Sequence, residues 1–152
     1  MGRTLLLAAA LIALPLAAAM AQAPAAGLNP EQIVAARQSA YQLSAGSFLS
    51  MKAAAEAGAD VHMLALPARA LARWARTLPT MFPAGTNLPS SKALPAVWSD
   101  RAGFEARAAA YAVAAQALAE AAQGGDRAVF LQRWGELRTT CGACHDAYQS
   151  SN

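Results

Sequence analysis

Apolar side chains recur at helical spacing in four separate stretches of the chain. In the first stretch one face repeats every three or four residues, through Val34, Arg37, Tyr41, Ser44, Phe48 and Met51. This spacing predicts an amphipathic helix whose stripe faces a core. Asn29 and Pro30 begin the predicted helix, because asparagine caps helices and proline is favoured at the first helical position. Gly58 follows its predicted end.

The second stretch contains a proline within its helical pattern. Asp60 caps the predicted helix, which runs towards Leu78 and ends before Pro79. Pro67 lies inside this pattern, and an interior proline removes a backbone donor and clashes with the preceding turn. We therefore expect either a kink or a true helix start near Leu66.

Two further helices follow a long loop that spans residues 79–99. The loop carries four prolines, and loops of this length in a compact domain are usually functional. Ser99 or Asp100 caps the third predicted helix, which ends at Gly124. Asp126 caps the fourth, whose stripe runs through Phe130, Trp134, Leu137, Cys141, Cys144, His145 and Tyr148. Four amphipathic helices predict an all-α fold, an antiparallel four-helix bundle.

Residues 1–21 match the pattern of a secretory signal peptide. Arg3 supplies the positive charge, and a short apolar run and small residues follow it. We expect cleavage after Ala21, because cleavage two residues later would leave a proline directly after the cut. A retained membrane anchor is disfavoured, since the apolar run is shorter than the ~20 residues a span needs. We expect an exported protein with one domain over residues 22–152.

Composition and charge narrow the function classes. Hydrophobic residues make up 56% of the 152 residues, a share that alanine inflates, and alanine favours helix. The net charge is only +3 at pH 7, and the lysines and arginines are scattered. This pattern gives no basis for a surface that binds nucleic acid or membranes.

The fourth predicted helix carries Cys141, Cys144 and His145. Residues at positions i, i+3 and i+4 project from one face of a helix. A flat haem against that face can take two thioether bonds while the imidazole reaches its iron. In an exported chain the C-x-x-C-H pattern is typical of c-type haem attachment. We predict one covalent haem c, attached through Cys141 and Cys144, with His145 as iron ligand.

Three other readings of this motif each lack a requirement. A structural zinc site takes four ligands, but the sequence offers only one more histidine, His62, and no more cysteines. A thioredoxin-type dithiol belongs near a βαβ pattern, and no strand pattern is present. A disulfide in an exported protein leaves His145 without a role.

A c-type haem iron often takes methionine or histidine as a second protein ligand. Met51 lies ten residues beyond Tyr41, about 15 Å along the helix, and Met63, Met81 and His62 flank turns or loops. No sixth ligand is therefore convincing. An iron with one vacant side indicates a gas-binding protein, whereas a six-coordinate electron carrier is the alternative. We do not expect an enzyme, because no histidine or carboxylate near Tyr41 supplies acid–base chemistry.

Three stretches together resemble the class II c-type cytochromes, specifically the cytochrome c′ family. They are Arg37-Gln38-Ser39-Ala40, Val97-Trp98-Ser99-Asp100 followed by Phe104, and Cys-x-x-Cys-His-Asp-Ala-Tyr over residues 141–148. The haem motif alone is common to all c-type cytochromes. Its combination with the other two stretches is far more specific, and the resemblance extends over nearly all of the predicted mature chain.

The resemblance implies a five-coordinate, high-spin haem with an open distal face that binds NO and CO. It implies that Arg37 and Gln38 lie near the haem propionates, that Lys92 approaches one propionate, and that Tyr41 takes the distal position. Many family members carry a basic residue where this chain has Gln149, so a proximal charge effect is not carried over. We expect a periplasmic gas-binding protein, with electron transfer to a small redox partner as a further role.

The resemblance also implies a homodimer formed through the first two helices. Such a dimer needs apolar surface beyond the stripe that serves the core. Leu43, Phe48 and Met51 do not share one narrow stripe of the first helix. We expect part of this set to face a second copy of the chain.

Overall fold

Helices form most of the structure, a computed structural model that describes residues 27–151. The helices are α1 Pro30–Glu56, α2 Ala65–Thr77, α3 Ala96–Ser99, α4 Arg101–Gly124 and α5 Arg127–Tyr148. Two 3₁₀ turns, Val61–Leu64 and Leu78–Met81, flank α2. The four long helices confirm the predicted four-helix bundle. The predicted signal peptide lies outside the described residues.

The predicted helix starts are confirmed by their capping hydrogen bonds. Asn29 forms a capping box with Gln32, in which each side chain bonds the backbone N–H of the other. Asp100 accepts a hydrogen bond from the Gly103 amide at the start of α4. Asp126 accepts two backbone hydrogen bonds at the start of α5. Local side-chain chemistry therefore fixes where these helices begin.

The proline in the second stretch marks a helix start rather than a kink. Asp60 caps the 3₁₀ turn Val61–Leu64, and α2 begins directly afterwards at Ala65. Pro67 thus lies in the first turn of α2, where its missing N–H costs no hydrogen bond. The short helix α3 interrupts the predicted long loop.

Alanine lets α2 and α4 pack closely. The positions that are 1% exposed or less include Ala68, Ala72, Ala75, Ala115, Ala119 and Ala122, on α2 and α4. The helix α4 packs extensively on both α2 and α5, whereas α1 makes few contacts with α5. A second apolar cluster, near α3, contains Leu78, Phe82, Val97, Phe104, Ala108 and Tyr148. The bundle is therefore dense around α4 and open between α1 and α5.

One end of this opening is closed by an aromatic pair. Phe48 on α1 stacks on Trp134 of α5, with ring centroids 4.2 Å apart. The indole N–H of Trp134 donates a hydrogen bond of 2.8 Å to the Phe48 carbonyl oxygen. Met51, one turn further on, is 1% exposed in the core. Of the three residues considered for a partner surface, only Leu43, at 75% exposed, is free of the core.

No helix in residues 27–151 combines the length and the apolarity that a membrane crossing requires.

Candidate haem-binding site

A cavity of about 730 Å³ lies between α1 and α5, bounded also by α4 and by residues of the long loop. Cofactor sites in proteins typically have volumes of a few hundred to about 1,000 Å³ and mostly apolar walls. Leu71, Leu78, Phe82, Phe104 and Leu137 supply much of the apolar wall here. The cavity therefore has the size and lining expected of a cofactor site.

Three side chains of α5 give this cavity its chemistry. Cys141, Cys144 and His145 all line it, and the two thiols are free and half-buried. The Cys141 thiol donates a hydrogen bond of 3.6 Å to the Leu137 carbonyl oxygen. Burial raises the pKa of both the Cys141 and Cys144 thiols, so both are protonated at neutral pH. The predicted attachment residues and iron ligand thus share one wall.

This donor set fits a haem rather than a bare metal ion. Among residues 27–151 no group of three or more histidine, cysteine, aspartate or glutamate side chains could hold an ion. Haem iron needs only one axial imidazole from the protein, and two thiols suffice for covalent attachment. The free thiols also differ from the disulfide considered as an alternative.

Three tyrosines line the cavity, Tyr41, Tyr111 and Tyr148, although only Tyr41 was assigned to the site from the sequence. Tyr41 is on α1, where its ring meets the edge of Trp74 at a centroid distance of 5.4 Å. Burial, and next the Cys144 thiol, raise the pKa of Tyr41 above its ordinary value. Tyr111, on α4, also lines the cavity, and burial likewise raises its pKa. The sequence signal that could have identified Tyr111 was its place on the apolar stripe of α4, seven residues after Phe104.

Arg37 lies at the cavity edge but is turned towards the long loop. It is only 2% exposed, and it donates four hydrogen bonds to loop oxygens. The acceptors are the Met81 carbonyl, the Thr86 hydroxyl and carbonyl, and the Ser91 hydroxyl. Sequence reasoning did not identify these partners, because residues in an irregular loop follow no periodic pattern.

Gln38 and Lys92 also line the cavity. The Gln38 amide donates a hydrogen bond of 2.8 Å to the Ser90 carbonyl oxygen. Lys92 is exposed, and its side chain takes part in none of the ion pairs found in the described part of the chain. A charged ammonium group is therefore available at the cavity edge.

The segment after the haem motif is tied to the same loop. Ala93 and Gln149 form an isolated antiparallel bridge, in which Leu94 N–H donates to the Tyr148 carbonyl oxygen at 2.9 Å. The Ser150 N–H donates to the Lys92 carbonyl oxygen, also at 2.9 Å. These bonds hold the loop against the end of α5.

The family of the chain follows from comparison with known proteins. A family model described as Cytochrome C' matches residues 32–149, which include most of α1, the loop and the whole C-x-x-C-H motif. The chain belongs to the cytochrome c′ family. The predicted family resemblance is therefore confirmed, and family membership identifies a c-type haem protein.

Individual cytochromes c′ agree with this assignment. Cytochrome c′ of Rubrivivax gelatinosus is 37% identical over 124 residues, which cover 80% of this chain and 96% of that protein. Its crystal structure superposes with a TM-score of 0.73 at 34% identity, covering 80% of this chain and 97% of that one. A nitric oxide complex of a cytochrome c prime variant from Alcaligenes xylosoxidans gives a TM-score of 0.74 at 30% identity, covering 81% and 98%.

The tyrosine environments predict an unusual alkaline titration. Burial raises the pKa of Tyr41 and Tyr111, and the hydrogen bond to Asp100 raises that of Tyr148. The unfolded chain ionises its tyrosines near pH 10, so it loses protons before the folded protein does. Folding stability should accordingly fall as the pH rises above about 10.

Ultraviolet difference spectroscopy would measure this titration. We expect native Tyr41 and Tyr111 to release their protons only well above pH 10, whereas the same protein in denaturant titrates near 10. The variants Tyr41→Phe and Tyr111→Phe should each remove one late-titrating group. Native titration that coincides with the denatured control would contradict the buried positions of these phenols.

Proposed function

We propose that this protein is a periplasmic gas-binding cytochrome whose five-coordinate, high-spin haem iron binds NO and CO. This proposal rests on the lack of a second axial ligand among the described residues. Among the described methionines and histidines, only His145 lines the cavity. When bound, haem would supply an iron with one vacant side, and the protein would control access to it.

The described sulfur and imidazole groups outside the motif support an open iron. Met51 is buried in the core, and Met63 is 75% exposed at the far end of the bundle, beside Leu64. The Met81 side chain packs against the second apolar cluster, and the imidazole of His62 bonds the Asp60 carboxylate. A six-coordinate electron carrier, the alternative function, would require one of these groups to enter the cavity.

The cavity walls favour binding of small neutral ligands over acid–base catalysis. No carboxylate lines the cavity among the described residues, and outside the C-x-x-C-H motif its polar groups are hydroxyls, amides and cations. The raised pKa of Tyr41 keeps its phenol neutral, and a neutral phenol is a poor iron ligand. These features support a binding protein rather than an enzyme. The nitric oxide complex of the Alcaligenes xylosoxidans relative is consistent with this class of ligand.

Export supports the proposed periplasmic location. The signal-peptide pattern of residues 1–21 predicts transfer out of the cytoplasm. Electron transfer with a small periplasmic partner is the second proposed role, and Lys92 lies exposed at the cavity edge where such a partner would approach.

Covalent attachment is the first point to test. Because Cys141 and Cys144 share one cavity wall, we expect a single haem held by two thioethers. Acid–acetone extraction should leave the colour with the protein, and the intact mass should exceed that of the chain by one haem. The double variant Cys141→Ala with Cys144→Ala should release haem on extraction. His145→Ala should keep the attached ring but lose the axial ligand and change the optical spectrum.

Free extraction of haem from the unaltered protein would contradict attachment at these two cysteines. Retention of one haem by the double variant would contradict it equally.

Gas binding is tested by titrating the ferrous protein with CO and with NO while recording its optical spectrum. We expect a high-spin spectrum before addition and saturable binding of both gases. The Tyr41 ring narrows access, so Tyr41→Leu should speed gas entry by about tenfold, a barrier lower by roughly 1.4 kcal/mol. Tyr41→Phe is the matched control, since it keeps the ring and removes only the hydroxyl. Its entry rate should stay close to that of the unaltered protein.

A low-spin ferrous spectrum without gas, and no response to CO, would favour the six-coordinate alternative. If Tyr41→Phe sped gas entry as much as Tyr41→Leu, the hydroxyl and not the ring would limit entry, which would contradict the steric explanation.

We also propose that the protein is a homodimer through α1 and the start of α2. The apolar side chains there are unusually exposed, with Leu43 at 75%, Met63 at 75% and Leu66 at 70%. Leu43→Asp should therefore weaken the dimer, whereas Val113→Asp, at a 72% exposed position on α4, should not. Sedimentation velocity at micromolar concentrations would measure both variants. A monomeric unaltered protein, or equal effects of the two variants, would contradict this interface.

A further inference from the structure

Tyr148, the last residue of α5, is held through both its side chain and its main chain. Its hydroxyl donates a hydrogen bond of 2.7 Å to the Asp100 carboxylate at the start of α4. Its carbonyl oxygen accepts a hydrogen bond of 2.9 Å from the Leu94 N–H. The ring is 7% exposed and meets Phe104 edge to face, with centroids 5.5 Å apart. The end of α5 is therefore fixed both to α4 and to the loop.

The two oxygens of the Asp100 carboxylate serve two helices. Oδ1 accepts from the Gly103 N–H at 3.2 Å and so caps α4. Oδ2 accepts from the Tyr148 hydroxyl. The negative charge lies at the N-terminus of α4, where the helix dipole stabilises it. Since a hydrogen bond to an ionised acceptor is stronger than one between neutral groups, the link from α4 to α5 is a strong one.

Gly103 leaves the space in which this bond forms. A Cβ atom at position 103 would lie 2.2 Å from Asp100 Oδ2 and 2.6 Å from the Tyr148 hydroxyl oxygen. Both atoms are the ends of side chains, so an added methyl group would displace them rather than the helix backbone. A side chain at position 103 would therefore open the bond and leave the fold in place. We call Tyr148, Asp100 and Gly103 the Tyr148 clamp.

The Tyr148 clamp lies one turn beyond the haem motif. Tyr148 follows Cys144 by four residues and His145 by three, so it lies on the same face of α5 as both. All three side chains line the cavity, and Cys144 packs against the apolar cluster that contains Tyr148. The His145 carbonyl oxygen accepts from the Gln149 N–H at 3.0 Å. His145 thus belongs to the final turn of a helix, which frays unless other groups hold it.

The direction of the His145 ring depends on this turn. None of the side-chain hydrogen bonds formed by residues 139–151 involves the imidazole. A metal-binding histidine is usually oriented by a hydrogen bond from its second ring nitrogen. Because this part of the chain supplies no such bond, the backbone of the last turn has to set the direction of the ring.

We propose that Tyr148 is a positioning residue, which holds the last turn of α5 against Asp100 and thereby directs the His145 imidazole at the haem iron. The haem follows from family membership, so this inference does not depend on which gas the iron binds. Gly103 belongs to the same device, because it keeps the space between the two helices free for the bond.

Three variants open the Tyr148 clamp in different ways. Tyr148→Phe removes the hydroxyl and keeps the ring. Asp100→Asn keeps an oxygen to cap α4 but replaces the charged acceptor with a neutral amide. Gly103→Ala leaves every polar group in place and adds the obstructing methyl group. Gly135→Ala is the matched control, since Gly135 is also helical and a Cβ there would meet nothing within 4 Å.

Two measurements on the haem-loaded protein test the positioning role. Hydrogen–deuterium exchange of the amides of residues 146–151 reports on the last turn. The resonance Raman band for the stretch between iron and imidazole, recorded on the ferrous protein, reports on the axial bond itself. We expect Tyr148→Phe and Gly103→Ala to speed exchange by about tenfold, and to broaden the band and move it to lower frequency.

The other two variants set the scale of these effects. Asp100→Asn should cause the same changes to a smaller extent, because a neutral hydrogen bond is about half as strong as a charged one. Gly135→Ala should leave both the exchange and the band unchanged. Faster exchange with an unaltered band in Tyr148→Phe would show a purely structural contact and overturn the proposal. Unaltered exchange in that variant would overturn it equally.

The double variant Tyr148→Phe with Gly103→Ala tests the geometry of the clamp. Without the hydroxyl, the Asp100 carboxylate is free to turn away and the methyl group has room. We therefore expect the double variant to match Tyr148→Phe alone, whereas additive effects would contradict the shared site. Neither measurement requires gas binding. Failure of the proposed function, seen as no response of the ferrous protein to CO, is thus distinguishable from failure of this proposal.

Discussion

A four-helix bundle that encloses a macrocycle must keep two helices apart without losing their alignment. Here α1 is separated from α5 and is held at two places. The Arg37 hydrogen bonds attach it to the long loop, and the stacked rings of Phe48 and Trp134 attach it to α5. Arg37 and Phe48 are eleven residues apart, which corresponds to about 16 Å along a helix. Tyr41 lies between them on the same face. The distance between these two attachment points, Arg37 and Phe48, sets the length of the cavity wall on α1.

The close packing of α2, α4 and α5 stabilises the fold although α1 and α5 are held apart. Alanine-lined contacts of α4 with α2 bury backbone and side chain closely, so the fold does not depend on extensive α1 to α5 contact. The cavity can then be lined by large apolar groups, including Phe82 and Phe104, whose rings meet edge to face at 5.1 Å. Rigid walls of this kind keep the cysteine and histidine side chains of one helix directed at a common space.

Local signals predicted the helices well, and long-range contacts could not be predicted. Capping residues such as Asn29 and Asp126 act within a few positions, so their effects are visible in the sequence. The cavity-lining role of the C-x-x-C-H motif followed from helical spacing. The loop partners of Arg37 lie 44 to 54 positions further along the chain, in a segment without periodicity. No sequence pattern therefore predicts these contacts. Tyr111 was on a recognised stripe, but periodicity alone does not distinguish a cavity wall from a core.

The bridge between Ala93 and Gln149 constrains how this region can vary in evolution. Both of its hydrogen bonds use main-chain atoms, with the N–H groups of Leu94 and Ser150 as donors. The exposed side chain of Gln149 plays no part in them, so a basic residue at this position would leave both hydrogen bonds in place. Proline at Leu94, Gln149 or Ser150 would remove a hydrogen bond, because the N–H of each residue is a donor and proline has none. Drift of the surface charge near the haem ligand can therefore proceed without altering the fold.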